Sequence, residues 1–149
     1  MSLEAKVMEE LKAAMRSKDE VALRTLRAIK AAILIEQTAS GAKEALTEAD
    51  ELKLLTKMAK QRKDSLDIFK QQGRADLAKK EEEEIEVISK FLPVQLTEAE
   101  LEAEIKSIIA AVGAKSPADM GKVMGAASKQ LAGKADGRLI SETVKRLLA

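Results

Sequence analysis

One signal recurs along this chain and limits its fold more than any other. A residue able to cap a helix precedes apolar residues spaced three and four apart. Leu3, Val7, Leu11 and Met15 step by four and put one apolar stripe on a first helix. Ser17-Lys18-Asp19-Glu20 reads as a capping box for a second helix carrying Leu23, Leu26, Ile29 and Ile33, which Ala39-Ser40-Gly41-Ala42 ends. Thr47-Glu48-Ala49-Asp50 opens a third, with Leu52, Leu55, Ala59, Leu66 and Phe69 inward and Gly73 as its stop. A fourth extends over residues 74–92, with Leu77, Ile85 and Ile88 on its inner stripe. Pro93 then breaks the pattern, and Thr97-Glu98-Ala99-Glu100 caps a fifth helix bearing Leu101, Ile105, Ile108 and Ile109 before Gly113. Ser116-Pro117 predicts the start of a sixth helix over 117–131, and a seventh begins at Asp136. No segment alternates in the manner of a strand. The expected fold is all-α: an N-terminal four-helix domain, 1–94, a boundary at Pro93–Leu96, and a small three-helix domain, 95–149.

Composition agrees with helix and removes most chemistry. The chain has 149 residues with 25 Ala, 18 Leu and only 2 Pro, a mixture that favours helix nearly everywhere. It contains no Cys and no His, which excludes thiol nucleophiles, disulfides, zinc fingers and every Ser-His or Cys-His arrangement. Trp and Tyr are absent and Phe occurs twice, so base-stacking platforms are not available. No apolar run approaches the roughly 20 residues of a membrane helix, and Met1-Ser2-Leu3-Glu4-Ala5-Lys6 lacks the order of a signal peptide. The expectation is a cytosolic protein without a membrane partner, metal or cofactor.

Net charge is +1, from 26 basic and 25 acidic residues, so the whole chain is no general polycation. The distribution is less even. Residues 1–94 hold 18 of each sign, whereas from Lys106 onward 8 basic residues face 3 acidic ones. Gly121 and Gly125 lie four apart on one face of the sixth helix, where each glycine costs about 1 kcal/mol relative to Ala. Two readings stay open for them: close helix packing with Met120 and Met124 filling gaps, or close approach of an RNA backbone. Gly133-Lys134-Ala135-Asp136-Gly137-Arg138 is similarly open between a turn capped by Asp136 and a phosphate contact at a helix N-terminus. Lys60, Arg62 and Lys63 read as a solvated face. Glu81 to Glu84 point in different directions around a helix and do not converge with Asp76 on a metal.

Arg62 falls on the apolar stripe of the third helix, where a charge needs a partner or a path to water. If the third and fourth helices fold back antiparallel around Gly73, facing residues have roughly constant summed numbers. Phe69 then meets Leu77, Ala59 meets Ile88, and Arg62 meets Glu84, with Glu81 as the neighbouring choice. The expectation is a structural ion pair from Arg62 to Glu84 or Glu81.

Several segments resemble the YqeY-like family: Lys60-Gln61-Arg62-Lys63-Asp64-Ser65, Gly73-Arg74-Ala75-Asp76-Leu77 and Phe91-Leu92-Pro93-Val94-Gln95-Leu96. Asp119-Met120-Gly121-Lys122-Val123-Met124-Gly125 and Gly133-Lys134-Ala135-Asp136-Gly137 add to this, and also resemble the tail domain of GatB, a subunit of the tRNA-dependent amidotransferase. The resemblance implies an all-helical, two-domain protein linked to tRNA-dependent amide transfer. It also implies a carbon–nitrogen ligase activity with glutamine as amido donor, although the tail is not the part of GatB that performs the chemistry. The residues themselves supply neither a nucleophile to release ammonia nor an acceptor-activation site, so no catalytic residue is assigned. The expected function is a non-catalytic module that binds tRNA by backbone and shape. RNA contact is expected through Lys122, Lys129, Lys134 and Arg138, beside Gly121 and Gly125. The alternatives are an adaptor that docks on an amidotransferase or another protein complex, and the ligase itself.

Overall fold

A computed structural model describes residues 1–39, 41 and 44–149. Among these it shows seven α-helices and no strand: α1 Leu3–Ser17, α2 Glu20–Thr38, α3 Glu48–Gln71, α4 Ala75–Ser89, α5 Glu98–Val112, α6 Met120–Gln130 and α7 Gly137–Leu148. The chain falls into two compact units, Met1–Leu92 and Pro93–Ala149. Ser40 and Ala42, expected to end α2, lie outside the described residues.

In the first unit, α1 packs on α2, α2 on α4, and α3 runs back along α4. Their shared core contains Val7, Ile29, Leu55 and Ile88, each at most 2% exposed. Removing a side chain of this size from water contributes about 1.5–3 kcal/mol. The α3–α4 turn closes as its glycine suggests. Gly73 adopts φ +69°, and the Arg74 amide reaches back to the Phe69 carbonyl at 2.8 Å, a left-handed closure that glycine enters without a Cβ clash. At the start of α3, the Asp50 amide donates to the Thr47 hydroxyl and the Thr47 amide to the Asp50 carboxylate, both at 3.1 Å. That reciprocal box holds the Asp50 carboxyl below the usual carboxylate range.

Three local expectations are corrected here. Ser17 does not cap α2; it ends α1, and its hydroxyl donates to the Ala14 carbonyl. Lys18 turns the chain at φ 56°, and Asp19 caps α2 by accepting from the Ala22 amide at 3.0 Å. A strict step of four drifts around a helix of 3.6 residues per turn, so Ala14 takes the inward place and Met15 is 57% exposed. Ser116-Pro117 opens a short 3-10 turn, Pro117–Asp119, rather than the sixth helix itself. The Ser116 side chain caps nothing, and Asp119 accepts from the Lys115 amide at 2.9 Å.

In the second unit α5, α6 and α7 surround Ile105, Val123, Ala127 and Val144, all fully buried. Thr97 caps α5 through the Glu100 amide, and Gly113 ends it at φ +69°.

Candidate functional site

Two arrangements of charged side chains distinguish this molecule, one in each unit. In the first, Arg62 Nε donates to Glu84 Oε2 at 3.2 Å and Nη1 donates to the Met58 carbonyl at 3.2 Å. Arg24 on α2 donates to the other oxygen, Glu84 Oε1, at 3.2 Å. One carboxylate therefore ties α2, α3 and α4 together. Glu84 and Arg62 are 16% and 17% exposed, so the pair is shielded from most solvent and remains hydrogen-bonded on several sides. Glu81 makes no hydrogen bond to Arg62. Burial first, and the Glu84 carboxylate second, push its pKa up. Arg24 was not singled out in the sequence, because its exposed position carries no periodic signal. This arrangement is architectural: one carboxylate holds three helices together.

The second unit carries the residues expected to meet RNA. Lys122, Lys129, Lys134 and Arg138 are all exposed, as are Gly121 and Gly125. Among the described residues no carboxylate forms an ion pair with Lys122, Lys129 or Lys134, while Arg138 lies 3.7 Å from Glu142 in an exposed pair. The packing reading of the two glycines is overturned. A Cβ added to either would meet nothing within 4 Å. The buried side of α6 is Val123 and Ala127 instead, so the glycines form a smooth, solvent-facing strip.

The loop before α7 is a capped turn. Asp136 Oδ1 accepts from the Arg138 amide at 2.9 Å, which places a carboxylate where a phosphate would sit. Gly133 adopts φ +73°, and the loop is tied to the segment after Pro93. Gln95 Nε2 donates to the Gly133 carbonyl at 2.6 Å, and the Leu96 amide donates to the Lys134 carbonyl at 2.9 Å. Gln95 thus positions the basic loop, a role that sequence spacing across 38 residues does not reveal. On α5 and α7, Glu102 accepts from Lys106 at 3.2 Å and Arg146 at 3.3 Å, which lower its pKa. No group of His, Cys, Asp or Glu among the described residues is arranged to hold a metal ion. No described helix is long and apolar enough to cross a membrane.

Comparison with known proteins places these features in a wider set. The Yqey-like protein family matches residues 4–148. A protein of Lachancea thermotolerans named "Altered inheritance of mitochondria protein 41, mitochondrial" is 33% identical over 76% of this chain. The match spans 61% of that protein's own length. A protein of the same name from Pyrenophora tritici-repentis is 29% identical over 96% of this chain and 79% of its own. An uncharacterized protein of Schizosaccharomyces pombe is 33% identical over 62% of this chain and 73% of its own. These names correct the cytosolic expectation, since similar proteins are named as mitochondrial. An absence of cysteine and of long apolar runs does not discriminate between those compartments.

Proposed function

The chain belongs to the Yqey-like protein family, and from that premise we propose that it is a non-catalytic helical module acting with tRNA or with the tRNA-dependent amidotransferase system. On this reading the two units are domains, 1–94 and 95–149, joined at Pro93–Leu96. The second grips RNA by backbone and shape. The observation that carries it is the open strip of Gly121 and Gly125 beside lysines with which, among the described residues, no carboxylate forms an ion pair. Two helix glycines cost about 1 kcal/mol each relative to Ala, and nothing packs there to explain them. A sugar–phosphate backbone can approach a surface without Cβ atoms closely, while Lys122 and Lys129 supply the charge. Lys134 and Arg138 add side-chain charge, because the Asp136 carboxylate already occupies the Arg138 amide at the start of α7. With no Trp or Tyr, stacking of bases on aromatic side chains contributes little, which leaves recognition to backbone and shape.

The test is tRNA binding by the full chain across a salt series. Neutralising Lys122, Lys129, Lys134 and Arg138 together should lower the log–log salt slope by about one unit per lost phosphate contact. An unchanged slope would move the contact off this surface. No binding at low salt would favour the adaptor reading. Ammonia release from glutamine by the rigorously purified chain would end the non-catalytic assignment.

A further inference from the structure

We propose that a groove in the first unit is the docking site for a basic amphipathic helix of a partner protein. The groove, with a volume of about 420 Å³, runs between α1 and the C-terminal half of α4 over the start of α2. Its floor is apolar: Val21, Ala22, Leu26, Val87 and Phe91. Phe91 is one of only two aromatic residues in the chain. It stays partly exposed here, as does Val21.

The walls are acidic. Glu9 and Glu10 stand on α1, and Glu83 and Glu86 on α4. Among the described residues none of these four carboxylates makes a side-chain hydrogen bond or an ion pair, although Lys6 and Lys90 share the same rim. The neighbouring Glu84 shows the alternative, since Arg24 and Arg62 use both of its oxygens. With Asp19 the rim holds five carboxylates against two ammonium groups, in a chain whose net charge is +1. Such a rim repels phosphates and anionic lipid, and is complementary to lysine and arginine.

The shape of the walls determines what kind of segment fits. The walls are helices, which present no strand edge for an added strand to pair with. Recognition must run through side chains, which is the helix-in-groove mode. Apolar residues one turn apart would reach the floor, and basic residues on either flank would meet Glu9 and Glu10 on one side and Glu83 and Glu86 on the other. This inference does not depend on RNA binding by the second unit.

The experiment is fluorescence anisotropy of the full chain with a labelled leucine–lysine peptide of roughly 18 residues, long enough to be helical when bound. Two controls replace its lysines by glutamate, or scramble its order to destroy the apolar stripe. The expected result is binding of the first peptide, with both controls about tenfold weaker or more. Glu10→Lys with Glu86→Lys should weaken it similarly, and so should Ala22→Phe, which fills the floor without changing charge. If a variant loses its helical circular dichroism, Glu86→Gln and Ala22→Met replace it, with the same direction expected. Neutralising the four basic residues of the second unit should leave peptide binding unchanged. Equal binding of the scrambled peptide, no effect of filling the floor, or no binding at low salt would overturn the proposal. Self-association abolished by Ala22→Phe would also overturn it, by assigning the groove to a second copy.

Discussion

Each unit contains a carboxylate shared by two cations, and the two sit in different surroundings. Glu84, 16% exposed, joins Arg24 and Arg62 across three helices. Glu102, 34% exposed, joins Lys106 and Arg146, whose own side chains are 62% and 61% exposed. Water competes weakly for the first and strongly for the second, so similar geometry yields different worth. The inward-facing Arg62 of the first unit is held by architecture, whereas among the described residues Lys122, Lys129 and Lys134 of the second are exposed and form no ion pair.

The contrast would fail most visibly at Glu84. Glu84→Ala leaves two guanidinium groups without their common anion and should destabilise the first unit by about 2–3 kcal/mol. Arg62→Ala should cost about 1–3 kcal/mol, because Arg24 still satisfies part of Glu84. Urea unfolding followed by circular dichroism measures both; a change near zero for either would demote the pair to a surface contact. The glycine strip should respond in the opposite direction. Gly121→Ala and Gly125→Ala have open space for the methyl group and should each stabilise α6 by roughly 0.5–1 kcal/mol. The same variants should weaken tRNA binding, so a gain in stability without any loss of affinity would remove the glycines from the interface.

Protonation gives a smaller contrast of opposite signs. The Glu81 pKa is raised in the fold by burial and by Glu84. Its contribution to stability is therefore complete below the unfolded value and lost as pH rises through the folded one. Glu81→Gln should remove this dependence and be at least as stable as the parent at neutral pH. The Glu102 pKa is lowered by Lys106 and Arg146, so its contribution is present above the unfolded value and lost as pH falls through the folded one. Thermal melting against pH should show both trends. The smallest effect belongs to Glu102→Gln itself, a loss that added salt should erase because the pair is exposed.

Helices, caps and most inner stripes were legible because they arise from neighbours a few residues apart. Thr47 and Asp50 bond to one another's amides, and Gly73 and Gly113 take the left-handed turns that their missing Cβ permits. Leu26, Ile29 and Ile33 are buried as their spacing suggests. Local competition explains the misses at helix ends, where Ser17 and Asp19 are both acceptable caps and only the path of the chain separates them. Identity of partners was another matter. The register of α3 on α4 brings Glu84 within reach of Arg62, but the approach of α2 supplies Arg24, a contact 60 residues away. The openness of the Gly121 face and the tie from Gln95 to Gly133 also depend on which helix covers which. Short-range hydrogen bonding and periodicity are written into consecutive residues, whereas burial and charge pairing belong to surfaces that exist only after the helices have packed.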